Sequence, residues 1–159
     1  MVISAESLAA IGGAIALAGG LGGTSLGLGA SCSAGAATLA EEPGQFKNVI
    51  VLASLPMTQT FYGLIVLILI LTRVVPMLAA MPDPGGNGFA VLGIGLIAGS
   101  AEFFSAWAQG GICASGISLL PKTKGKILTN GILMAVFVEL FGVLGMVFTI
   151  LALSMLGLF

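Results

Sequence analysis

The sequence is unusually poor in ionisable residues. It contains no histidine, and Asp, Glu, Lys and Arg make up only 7% of its 159 residues, against about 25% in soluble globular domains. The lack of histidine excludes histidine-based catalysis and most transition-metal sites. With only five Lys and Arg in total, the chain has no basic patch for a nucleic acid.

Cysteine is also scarce, whereas apolar residues dominate. The two cysteines, Cys32 and Cys113, lie far apart inside apolar stretches, so we predict small packing residues rather than a disulfide. Hydrophobic residues make up 58% of the chain, and the mean hydropathy is +1.19. These values predict an integral membrane protein with no separate soluble domain.

Four apolar segments are each long enough to cross about 30 Å of hydrocarbon. Because only helices satisfy their own backbone groups in lipid, we predict an all-α protein with four transmembrane helices. The expected helices cover residues 7–40, 48–72, 88–120 and 127–159, and short polar loops cover 41–47 and 121–126. Residues 73–87 carry three prolines and a Gly-Gly pair, which predicts a non-helical connection.

The two halves of the chain repeat each other. Gly, Cys and Gly occur in the same register in residues 29–35 and 110–116, and Gln59 corresponds to Glu139. The pattern indicates a duplicated helical hairpin in which both copies run the same way. The expected division is a first hairpin over 1–76, an outer connection over 77–87, and a second hairpin over 88–159 that carries the carboxylate.

Glycines crowd residues 12–29 of the first helix and cover more than one of its faces. Small residues allow close approach between membrane helices. This density favours a tightly packed inner position, such as the inner wall of an oligomeric ring.

Glu139 lies in a long uncharged segment, where a carboxylate costs about 2.5–3.5 kcal/mol on insertion scales. Gln59 and Gln109 lie at a similar depth in other segments, about 18 Å from the nearest polar loop at helical rise. Leu55, Thr58, Gln59 and Tyr62 share one helical face by spacing. Pro56 is expected to turn a nearby carbonyl, such as that of Leu55, away from the helical ladder.

Together these groups offer about five oxygens and one negative charge, which suits a monovalent hard cation better than Ca²⁺. Na⁺ is the natural candidate, although a proton would need only Glu139. The competing interpretation is that the polar side chains merely hold helices together, at about 0.6 kcal/mol per contact. The convergence of Glu139, Gln59 and Gln109 at one depth favours an ion site.

The combination Leu55-Pro-x-Thr58-Gln59-x-x-Tyr62-Gly63, Ala108-Gln109-Gly110 and Val138-Glu139 resembles the proteolipid K subunit, the rotor-ring c subunit, of bacterial V-type Na⁺-transporting ATPases. The resemblance covers the whole chain. It implies that the Leu55 carbonyl and the side chains of Thr58, Gln59, Gln109 and Glu139 bind Na⁺. It also implies that Tyr62 hydrogen-bonds Glu139.

The resemblance further implies a ring of identical subunits in membrane lipid. Its expected partners are a stator subunit of the a/I type, which presents an arginine, and a central-stalk subunit at the cytoplasmic loops. The positive-inside rule places the lysine-bearing loop 121–126 in the cytoplasm. Loop 41–47 then faces the cytoplasm as well, and both termini face outside, in the cell membrane.

The chain has no Gly-Lys-Ser/Thr phosphate loop, so we expect a non-catalytic, ion-translocating subunit of a rotary ATPase. The alternatives are the same rotor carrying H⁺, a small ion-coupled secondary transporter, or a structural pore. The parallel repeat argues against the secondary transporter, because such carriers commonly have inverted repeats.

Glu102 departs from the family pattern as a second carboxylate in the third apolar segment. It precedes Gln109 by seven residues, which places it on the same face about 10 Å toward the outer side. We expect a protonated carboxyl bonded to Ser100 or Ser105, with an ion path or a second site as the alternative.

Overall fold

The protein is a bundle of four long helices. The computed structural model describes residues 3–159, and no strand occurs within them. The helices are α1 (Ala5–Glu41), α2 (Pro43–Leu78), α3 (Pro84–Ser118) and α4 (Leu128–Met155), and each is long and apolar enough to cross a membrane. The predicted all-α architecture with four spanning helices is therefore confirmed.

The predicted non-helical connection over 73–87 was wrong, because helices occupy most of it. A π-helical turn at Ile70–Val74 precedes Pro76 and adjusts the backbone where proline lacks an N–H, so α2 continues to Leu78. Pro84 stands in the first turn of α3, where a missing N–H has no cost. Asp83 caps that helix by accepting the Gly86 N–H at 3.0 Å, so only residues 79–83 join the helices.

The other two loops lie side by side, and the first is shorter than predicted whereas the second, over residues 119–127, is longer. Only Glu42 separates α1 from the 3₁₀ turn that begins α2. Between α3 and α4, one helical turn at Leu120–Thr123 ends with two left-handed residues, Lys124 and Gly125. A Cβ on Gly125 would lie 2.8 Å from Asn48 Nδ2, so glycine is needed both for its φ of 80° and for contact with the neighbouring loop.

Helices α1 and α3 pack backbone to backbone along most of their length. Added Cβ atoms on Gly19 and Gly23 of α1 would collide with the α3 backbone at Gly99 and Phe103. The glycine density of the first helix therefore serves close packing, as predicted, and α3 is its main partner. Helix α2 lies against α1 at Gly63, and α4 packs on α3 and α2.

Two apolar clusters fill the ends of the bundle and enclose a polar layer. One includes Ile70, Leu78, Val91 and Leu153, and the other includes Leu52, Ile117, Leu120 and Ala135. The buried polar side chains of Gln59, Glu102, Ser105 and Gln109 lie between these clusters along the chain.

Both cysteines are free. Cys113 is buried in the second cluster, as a packing residue should be. Cys32 is exposed on α1, so it does not pack inside the subunit.

Candidate ion-binding site

The site begins where Pro56 interrupts α2. Residues Leu55–Met57 form a 3₁₀ turn, because proline cannot donate the next backbone hydrogen bond. The Leu55 carbonyl accepts the backbone N–H of Thr58 and its hydroxyl at 3.2 Å. The Pro56 carbonyl accepts the Thr24 hydroxyl of α1 at 2.7 Å, which anchors the distorted turn to the neighbouring helix.

A connected set of polar contacts runs from this turn to α4. The Thr58 hydroxyl shares its one proton between the Leu55 carbonyl and Gln59 Oε1, which lies 3.1 Å away, and Gln59 Nε2 donates to Gln109 Oε1 at 2.9 Å. Gln109 Nε2 then donates to Glu139 Oε2 at 3.3 Å. The hydroxyl of Tyr62 donates to the other carboxylate oxygen of Glu139 at 3.0 Å. All six residues that the sequence singled out thus belong to one cluster contributed by α2, α3 and α4.

Ser105 is a member of the cluster that sequence reasoning did not place there. Its hydroxyl accepts Gln59 Nε2 at 3.0 Å and donates to the Val138 carbonyl at 2.9 Å. These two bonds fix the Gln59 amide and tie it to the residue before Glu139. The available signal was its spacing, since Ser105 lies one helical turn before Gln109.

Burial is graded across the site. Gln59 and Gln109 are fully enclosed at 0% exposure, whereas Thr58, Tyr62 and Glu139 are half-buried. Exposed apolar side chains surround the carboxylate on α4, among them Phe137 and Leu140. Glu139 therefore stands between an enclosed polar interior and an apolar surface. A carboxylate there needs a counter-charge or a proton, because its charge is costly next to hydrocarbon.

Glu102 lies outside this set of hydrogen bonds. The expected bond to Ser100 or Ser105 was wrong. Ser100 is exposed and bonds the Leu96 carbonyl of its own helix at 2.8 Å, and the Ser105 hydroxyl is already engaged by α2 and α4. Glu102 is fully buried, and neither of its carboxyl oxygens has a hydrogen-bond partner among residues 3–159.

The fold and the site define a class: a membrane protein built from two helical hairpins, with an intramembrane carboxylate on its last helix. The family model for the C subunits of ATP synthases matches the chain twice, over residues 11–70 and 92–152. The chain belongs to this family, whose hairpin proteins form rotor rings in membrane ATPases.

Two relatives are similar over most of the chain. The V-type sodium ATPase subunit K of Enterococcus hirae is 33% identical over 129 residues, which cover 81% of this chain and 79% of the relative. The A-type ATP synthase subunit K of Methanocaldococcus jannaschii is 35% identical over 147 residues, which cover 90% of this chain and 62% of the relative. The chain therefore spans less than two thirds of the archaeal relative. The resemblance to a V-type ATPase proteolipid is thereby confirmed.

Proposed function

We propose that this rotor-ring subunit binds and carries Na⁺ at Glu139, with the Leu55 carbonyl and the Thr58, Gln59 and Gln109 side-chain oxygens as the other ligands. The observation that carries the proposal is the continuous cluster of polar contacts from the Leu55 carbonyl to the Glu139 carboxylate. A proton carrier would need the carboxylate alone, whereas this chain places two buried amides and a hydroxyl beside it.

The charge balance of the cluster favours a monovalent ion. Its single formal charge comes from Glu139, and the other groups are neutral oxygens. One Na⁺ would cancel the charge, so a loaded protomer could rotate past lipid without carrying a bare charge. The E. hirae relative is described as a sodium ATPase subunit, which supports the same ion.

The proposed cycle uses Tyr62 and a stator. The Tyr62 hydroxyl holds Glu139 against α2 in the loaded state, with the carboxylate closed over the ion. At the stator subunit, of a/I type, an arginine competes for Glu139 and releases the ion. Catalysis of ATP hydrolysis or synthesis belongs to other subunits, and the central stalk docks at the two short loops.

We also propose the orientation and repeat boundaries that the sequence suggested. The loops near residues 41–47 and 121–126 face the cytoplasm, and both termini face outside. The repeat units are residues 1–76 and 88–159, with 77–87 between them. Lys122, Lys124 and Lys126 in one loop support this orientation.

Carbodiimide labelling of the purified ring tests the choice of ion. The reagent attacks a protonated carboxyl, so bound Na⁺ should protect Glu139. We expect labelling to slow as Na⁺ rises at constant pH, whereas K⁺ at the same ionic strength should protect much less. Labelling that is insensitive to Na⁺ at every pH would instead assign the carrier role to H⁺.

Tyr62→Phe should weaken Na⁺ binding without unfolding the ring. The change removes one hydrogen bond to a charged group, worth about 1.5 kcal/mol, so we expect roughly a tenfold loss of affinity. The measurement is the Na⁺ concentration that gives half-maximal protection from carbodiimide. Phe61→Leu, at an exposed ring on the same helix, is the matched control and should bind Na⁺ normally. Equal protection of both variants would show that Tyr62 only packs.

A further inference from the structure

Glu102 is the one buried acidic group that the proposed transport cycle does not use. It belongs to α3, its side chain is 0% exposed, and both of its carboxyl oxygens lack a hydrogen-bond donor from residues 3–159. Glu139, in contrast, receives one donor on each oxygen. Buried polar atoms almost always have a partner, so an orphaned carboxyl points to a ligand that completes it.

The Glu102 carboxyl packs against two glycines of α4. A Cβ placed on Gly142 would lie 2.9 Å from Glu102 Oε2 and 3.2 Å from Ser105 Oγ. Glu102 Oε2 and Ser105 Oγ therefore both approach the same side of Gly142, where a side chain would collide with them. A Cβ on Gly145, one turn further along α4, would lie 3.8 Å from Glu102 Oε1. At both positions α4 presents a glycine, and no side chain, to the carboxyl.

We propose that Glu102 and Ser105 form a second site for a monovalent cation, occupied by Na⁺, in each subunit. The chemistry follows from the groups present. A carboxylate and a hydroxyl oxygen suit a hard cation, and a single negative charge suits a single positive one. The Ser105 hydroxyl donates to Val138 and accepts from Gln59, and its oxygen keeps a lone pair for the ion.

The second site is distinct from the Glu139 site but shares a wall with it. Gly142 follows Glu139 by three residues, or about 4.5 Å along α4, so the new site lies about one helical turn toward the expected outer side. Ser105 and Gln59 stand between the two carboxylates.

A groove between α3 and α4, with a volume of about 580 Å³, reaches Ser105, Ala101 and Gly145 from the surface. Its lining is almost entirely apolar and does not include Glu102. Glu102 itself remains enclosed, so we expect its ion to exchange more slowly than the ion at half-buried Glu139.

The test counts ions in the intact ring, and the naming of Na⁺ rests on the proposed function. Purified rings are equilibrated with ²²Na⁺ at saturating concentration, and bound Na⁺ is measured per subunit. We expect two ions per subunit in the unmodified ring, one per subunit in Glu102→Gln, one per subunit in Glu139→Gln, and none in the double variant. Ser100→Ala, at an exposed serine of the same helix, should keep both ions.

Gly142→Ala gives a second approach that keeps both carboxylates. Its added methyl would crowd Glu102 Oε2 most closely, at 2.9 Å, so we expect one ion per subunit to be lost while the ring stays assembled. If the unmodified ring binds one ion per subunit, and only Glu139→Gln loses it, the proposed second site is wrong and the proposed function still stands. If the unmodified ring binds one ion per subunit, and only Glu102→Gln loses it, the second site is supported and Na⁺ binding at Glu139 is contradicted. No bound Na⁺ in the unmodified ring would contradict both.

Discussion

Replacing Glu139 by Gln will abolish ion transport by the assembled ATPase. The carboxylate is the only charged group in the contact set that links Leu55, Thr58, Gln59 and Gln109. Glutamine has nearly the same shape and can still accept from Tyr62, so the fold should survive. Removing a charged contact worth about 3 kcal/mol lowers ion affinity by roughly 100-fold. The neutral amide also gives a stator arginine no charge to compete for.

The measurement is ²²Na⁺ uptake into vesicles that contain the whole complex, with assembly of the ring checked separately. Glu6→Gln is the matched control, since it removes a carboxylate in the first turn of α1, far along the helix from the site. We expect the control to transport at the normal rate. Substantial uptake by the Glu139→Gln complex would mean that the ion follows another route, and the proposed site would be wrong.

The convergence of Gln59, Gln109 and Glu139 could be predicted because two simple measures fix a side chain in a membrane bundle. Distance from the polar loops gives its depth, and helical spacing gives its face. A polar side chain at that depth must turn inward. Together, depth and helical face predict that the three helices meet at these three side chains.

Hydroxyl groups could not be assigned in the same way. Ser33, Ser100, Ser115 and Ser118 all bond the carbonyl four residues earlier in their own helices, which is the usual arrangement for serine in a membrane helix. Ser105 bonds across helices instead. Its spacing before Gln109 is the one signal in the sequence, but that spacing does not reveal the bond across helices, which depends on the position of the Val138 carbonyl.

The errors at proline and at Glu102 have related causes. Pro76 and Pro84 predict a break when each is considered alone, but a π-helical turn accommodates the first and a helix start accommodates the second. Ser105 has the right spacing to reach Glu102, but its hydroxyl instead accepts from Gln59 of α2 and donates to the Val138 carbonyl of α4. In both cases the outcome depends on what neighbouring groups supply, which local sequence rules do not include.

Gly110→Val should disrupt the subunit, whereas Gly111→Val should be tolerated. These neighbours on α3 have the same residue type but opposite surroundings. A Cβ on Gly110 would collide with the α1 backbone at Gly27, while a Cβ on Gly111 would meet nothing within 4 Å. Overpacking costs about 1–3 kcal/mol even where side chains can adjust. At Gly110 the colliding atoms belong to the α1 backbone, so α1 and α3 must separate. We therefore expect a loss of folding free energy at the upper end of that range or above it.

The measurement is the fraction of protein recovered as assembled ring, together with its midpoint of thermal unfolding. We expect little ring from Gly110→Val and a lowered midpoint for whatever ring does form, with near-normal values for Gly111→Val. The pair also separates packing from ion binding, because added Na⁺ can stabilise a folded ring but cannot relieve a collision between backbones. If Gly110→Val assembled as well as its neighbour, the close α1–α3 contact would not hold the subunit together, and the glycines of the first helix would need another explanation.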